Sequence, residues 1–193
     1  MHFFATVLLG ATLISIPSRE VLPARNQALL LLRVLSYDRN LKARSGAEVT
    51  VVVAYREEAP RSEQEREMAA ALEEAARSFT VSGLKARVVT VPWRGAAALG
   101  AELKATGAAA LYVGESLSGE TAGISAAARS RSALTFAPLR EMVEGGLALG
   151  LLSADDRARL LVNLAASREE GADLDSVFLG IAEVIGRPPP AAR

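Results

Sequence analysis

The chain has 193 residues, half of them hydrophobic but only 5% aromatic, with 22 basic and 22 acidic side chains and a formal net charge of zero. That length suits one domain with a core of Val, Leu, Ile and Ala, and the charge balance offers no long-range attraction for nucleic acid or an anionic membrane. The absence of cysteine excludes thiolate nucleophiles, cysteine-based metal sites, disulfides and a lipoprotein anchor.

Residues 3–16 form an apolar run of about 14 residues, too short for a usual membrane span of roughly 20. The run suits the hydrophobic region of a secretory signal peptide, with Pro17 after it; a buried first strand is the other reading. Residues 1–24 are therefore read as an export signal, which would carry the mature chain out of the cytosol. The single histidine, His2, would leave with that signal. A Ser-His-Asp triad and a histidine general base are then ruled out.

Residues 24–37 predict a helix with Ala28, Leu31, Leu32 and Leu35 on its inward side. Tyr37, Asp38, Arg39 and Asn40 follow it. Tyr37 and Arg39 belong to the types that dominate interface hot spots and are candidate partner-binding residues; the plainer alternative is a helix end with Asp and Asn in its turn. Residues 48–55 (EVTVVVAY) are β-branched without alternation, as in a strand covered on both faces. Ser62 and Glu65 make a capping-box pattern opening a long helix, with Met68, Ala69, Leu72, Ala75 and Ala76 inward.

A strand over 87–91 ends at Pro92. Trp93, the lone tryptophan, sits at its carboxyl end, either as core packing or as a platform for a ligand or partner. A helix over 95–106, a buried strand over 108–113, an Ala-rich helix over 121–129 and a strand over 134–137 continue the alternation. Residues 147–152 and 159–162 resemble a hairpin added to the sheet. Asp155 and Asp156 between them read as a solvated turn, and no other acidic cluster has metal-ligand spacing. The rhythm predicts an α/β three-layer sandwich: a mostly parallel sheet with right-handed crossovers, helices on both faces and a C-terminal β-hairpin. Residues 25–186 form the single domain of this reading, and 187–193, with three prolines, a disordered tail.

The loop 114–121 (GESLSGET) spells a phosphate-binding pattern with Glu120 where the lysine belongs. An anion there repels phosphate, so an NTPase is excluded. The crevice at strand carboxyl ends is still the usual ligand position in such sheets. Gly114, Ser116, Ser118 and Trp93 are accordingly the candidate ligand-binding residues, for a small polar ligand. Against this stands a structural role, with Ser118 capping the next helix and Glu120 favouring its dipole. The sequence implies no catalytic residue, metal or cofactor.

The stretch 162–182 (VNLAASREEGADLDSVFLGIA) carries an Asn able to cap a short helix, Gly171 able to end it, and a second helix with Leu174, Val177, Phe178, Ile181 and Ala182 at helical spacing. These residues resemble the C-terminal signature of the YfiR-like family. Residues 27–35 are similar to that family's N-terminal helix, 110–116 (ALYVGES) to its central strand and loop, and 145–152 (GGLALGLL) to its Gly-Gly strand. Two departures are Tyr37-Asp38, where the family often has Trp-Pro, and the lack of the cysteines that disulfide-bonded members carry.

The resemblance implies a non-enzymatic periplasmic α/β regulator of cyclic-di-GMP signalling. Its partner would be the extracytoplasmic domain of a membrane-bound diguanylate cyclase, or by extension of a sensor kinase, which it represses. A small periplasmic solute-binding protein is the alternative. A homodimer through a sheet edge or helix face, and a sensed small ligand, are both compatible with the pattern.

Overall fold

The computed structural model describes residues 22–57, 62–154 and 157–186; most of the expected signal peptide, Asp155, Asp156 and the tail lie outside them. Among the described residues, one sheet holds β1 (Glu48–Tyr55), β2 (Lys85–Pro92), β3 (Ala108–Val113), β4 (Leu134–Ala137), β5 (Leu149–Ala154), β6 (Arg157–Asn163) and β7 (Glu183–Ile185). Their order is β2-β1-β3-β4-β5-β6-β7. Strands β1 to β5 run parallel, β6 returns antiparallel to β5, and β7 runs parallel to β6. The expected three-layer α/β fold with an appended hairpin is what forms.

Eight helices accompany the sheet among the described residues: α1 (Ala24–Leu35), α2 (Leu41–Ser45), α3 (Ser62–Ser78), α4 (Ala96–Thr106), α5 (Thr121–Arg129), α6 (Arg140–Glu144), α7 (Leu164–Glu169) and α8 (Ser176–Ile181). Side chains alternate across a strand, so β1 sends Val51 and Val53 one way and Val52 and Ala54 the other. Val51, Val53, Ala110, Tyr112 and Phe136 pack with Leu31 and Leu35 of α1, Met68 and Leu72 of α3, and Phe178 of α8. Val52, Ala54, Leu111 and Val113 pack with Leu99 and Leu103 of α4, Ile124 of α5 and Met142 of α6. Both faces of the central strands are thus apolar, as parallel strands between helix layers require.

The C-terminal segment departs from the expected pattern. Asn163 does cap α7, its Oδ1 accepting the Ala166 N–H at 3.2 Å, and Gly171 takes φ 81°. The next helix, however, starts only at Ser176, because Asp175 Oδ1 accepts the Val177 N–H at 2.7 Å and sets the N-terminus there. Leu174 falls before it, in a short antiparallel bridge to Asp38. Leu174 and Phe178 are buried, whereas Val177 is 68% exposed and Ile181 70%. Strand β7 and the five-residue helices α2 and α6 were not foreseen.

Two buried polar groups fasten this half. Asp38 accepts the N–H groups of Asn40 at 3.0 Å and Asp173 at 2.9 Å, and pairs with Arg44. Glu170, fully buried at the end of α7, accepts the Thr135 N–H at 2.7 Å and the Thr135 hydroxyl at 2.9 Å. That hydroxyl in turn accepts the Ala148 N–H at 2.7 Å, joining α7, β4 and the approach to β5.

Burial raises the Glu170 carboxyl to about 8, despite the opposing pull of the Thr135 hydrogen bonds and of Arg129 and Arg44. In the unfolded chain it would release its proton near 4.5. Between those values the folded protein holds a proton that the unfolded chain has lost, so stability falls as pH rises through the window and levels off above it. Urea titrations from pH 4 to 9 should show this decline, and Glu170→Gln should flatten it.

Candidate functional site

The chain crosses from β1 to β2 in one direction and from β2 to β3 in the other, so the sheet's switch point lies between β1 and β3. At that point Tyr55-Arg56 ends one strand and Val113-Gly114 ends the other. Residues Glu115–Glu120 then form a 3-10 turn leading into α5. Arg56 closes the gap: its Nε donates to the Ser116 carbonyl at 3.2 Å and its Nη2 to Glu120 Oε1 at 2.9 Å. Glu120, standing where a phosphate loop has lysine, is therefore a counter-ion for Arg56.

Glu65 comes to the same point from the first turn of α3. Its side chain is buried and its Oε1 accepts the Ser116 hydroxyl at 2.5 Å. The expected capping-box contact is replaced by this bond to a sequence-distant loop; the Ser62 side chain is outside the description. Beneath it Tyr112 donates its phenolic proton to Gln27 Oε1 at 2.9 Å, and Gln27 Nε2 donates to the Leu22 carbonyl at 2.7 Å. Burial first, then the charges of Glu65 and Glu115, push the Tyr112 phenol well above its ordinary value. The phenol stays a neutral donor.

The candidate ligand residues separate. Gly114 and Ser116 meet Glu65 on the α1/α3 side. Ser118 is exposed in the 3-10 turn. The helix begins at Thr121 after Glu120 without a side-chain cap, so the structural role considered for Ser118 is not realised. Trp93 donates its backbone N–H to the Tyr55 carbonyl at 2.7 Å, while its half-buried ring lies against Gly123 on the α4/α5 side. Ser116 and Trp93 thus share one end of the sheet but opposite faces. Among the described residues no group of acidic and histidine side chains is placed to hold a metal.

The candidate partner residues form a second locality. Tyr37 stacks on buried Phe178, with ring centroids 5.6 Å apart and planes at 21°, and remains 40% exposed. Arg39 donates to Asp175 at 2.7 Å. The Val177 N–H and then this guanidinium hold the Asp175 carboxyl below its usual range. Val177 and Ile181, one helical turn apart, share the outward face of α8. An apolar cluster with a charged rim results.

Sequence reasoning gave Glu65 a capping-box role and missed its bond to Ser116, and it passed over Arg56 and the outward role of Val177 and Ile181. Glu65 did leave a trace, since it precedes Met68, Ala69 and Leu72 on the inward stripe of α3. A side chain added at Gly114 would overlap the Glu65 carboxyl and its Cγ. Gly114→Ala should destabilise the fold by about 1–3 kcal/mol in urea unfolding, and by less in a Glu65→Ala background if the two contacts are coupled as drawn.

The fold is similar to the ABC domain in complex with L-Trp from Streptococcus pneumonia, with TM-score 0.57, 16% identity, 84% of this chain covered and 60% of that one. It is similar to a conserved domain protein from Vibrio cholerae, with TM-score 0.57, 15% identity and coverage of 84% and 60%. It also resembles the ligand-free, open structure of CD0873, a substrate binding protein with adhesive properties from Clostridium difficile, with TM-score 0.53, 14% identity and coverage of 77% and 58%. At these identities the likeness is one of fold, and the chain spans about three fifths of each of those structures. No curated protein sequence matches the chain. The family model described as YfiR/HmsC-like matches residues 26–183, most of the sequence, and the chain belongs to that family.

Proposed function

We propose that this protein is a non-enzymatic periplasmic regulator that docks on the extracytoplasmic domain of a membrane signalling protein, a diguanylate cyclase or a sensor kinase, and represses it. One observation carries the docking surface: the family's C-terminal segment leaves Val177 and Ile181 exposed beside Tyr37. Exposed apolar side chains grouped in this way commonly mark interaction sites, and the Tyr37 ring with the Arg39–Asp175 pair supplies the aromatic and charged types found at hot spots. Repression follows if this face binds the inactive conformation of the partner better than the active one. Among the described residues no helix is long and apolar enough to cross a membrane.

A small periplasmic solute-binding protein is the second reading. It draws support from the polar side chains gathered at the carboxyl ends of β1 and β3 and from neighbours that include a substrate binding protein. The two readings are compatible, since a regulator can sense a ligand.

Cross-linking in cells followed by purification should recover a transmembrane cyclase or kinase. Val177→Asp and Ile181→Asp should lower that recovery by about tenfold, roughly 1.4 kcal/mol, with unchanged melting temperature because both side chains face solvent. Recovery of no membrane signalling protein, or equal recovery with both variants, would count against docking at this face. Residues 1–30 fused to a reporter that is active only after export should give signal; retention in the cytoplasm would remove the periplasmic assignment.

A further inference from the structure

A cleft of about 310 Å³ opens on the α1/α3 side where β1 and β2 reach their carboxyl ends, lined by Val53, Tyr55, Glu65, Arg66 and Thr90. Val53 and Tyr55 alternate onto one face of β1, and Thr90 stands beside Val53 in register on β2. The first turn of α3 makes the remaining wall through Glu65 and Arg66.

Glu65 is 1% exposed, and its Oε2 has no hydrogen-bond partner among the described residues. The nearby donors are directed at other acceptors. The Ser116 hydroxyl gives its one proton to Oε1, the Tyr112 hydroxyl gives its proton to Gln27, and Arg56 serves the Ser116 carbonyl and Glu120. A buried carboxylate oxygen without a donor is rare in native proteins, because desolvation is then uncompensated. The Glu65 side chain that carries it lines a cavity large enough for a small organic molecule.

We propose that the cleft binds a small primary amine, with its ammonium on Glu65 Oε2 and its apolar body against Val53 and Tyr55. Oε2 is screened from bulk water, so it reaches the ammonium by a small turn of the carboxyl about its soft terminal torsion, which the rotatable Ser116 hydroxyl follows on Oε1. The resulting charge-assisted bond forms in a water-poor setting where it is strongest. Arg66 at the same cleft has interactions of its own. The site lies apart from Tyr37 and α8, and binding there needs no protein partner.

Two-dimensional NMR of the purified chain, titrated with phenethylamine and separately with 3-phenylpropionate, tests the assignment. Phenethylamine should give saturable shifts at Val53, Glu65, Thr90 and Ser116, with at least about tenfold preference over the anion. Glu65→Gln should weaken it by about tenfold or more, and Thr90→Trp, which fills the cleft without altering Glu65, should abolish it at unchanged melting temperature. Absence of saturable shifts in the unsubstituted protein, equal binding of the two probes, or unchanged binding in Thr90→Trp would overturn the proposal. These outcomes are read without any membrane partner, so they are separate from the docking test.

Discussion

Everything in this fold depends on three adjacent strands that have no wet side. In β1, β3 and β4, Val, Ala, Leu, Tyr and Phe point both ways, and the buried polar exceptions, Thr50 on β1 and Thr135 on β4, are tied into hydrogen bonds. A sheet of that kind is stable only between two helix layers. Covering both faces forces the chain to cross over after β1 and again after β2, and those crossings deliver all the loops that carry polar chemistry to one end. The position of Arg56, Glu65 and Ser116 is a by-product of that demand.

The polar groups inside the α1/α3 layer are few and connected. Tyr112 is joined to α1 through Gln27, Glu65 joins α3 to the turn after β3, and Glu170 joins α7 to β4 and the start of β5. Each bond links elements distant in sequence, so each fixes how the layers sit as well as contributing energy. Hydrogen bonds of this kind contribute about 0.5–1.5 kcal/mol net, and removing one partner costs at least as much because the other stays buried.

Elements whose identity rests on local chemistry were legible in the sequence. The β-branched run of β1, the AAALYV of β3, the stripe of α3, the Asn163 cap and the left-handed Gly171 all follow from neighbours within a turn or a strand. What escaped depends on distant partners. Strand β7 has three residues and exists because β6 offers a free edge. Val177 and Ile181 look like core because apolar side chains follow the same spacing whether they meet the protein's interior or another surface. Asp38 gives no hint in sequence of its bond to residue 173. Ser116 and Trp93, grouped by their nearness to strand ends, are parted by the sheet itself, a separation that only the alternation of faces decides.

The Asp38 knot has a consequence for how the molecule assembles. Its bond to the Asp173 N–H spans 135 positions, so the turn after α1 has no final shape until nearly the whole polypeptide is present. Long closures of this sort are slow to gain and are completed late. An early-emerging segment would wait, incompletely organised, for the last helices to arrive. The fastening rests on ionic attraction and backbone hydrogen bonds alone, which leaves it indifferent to reductants.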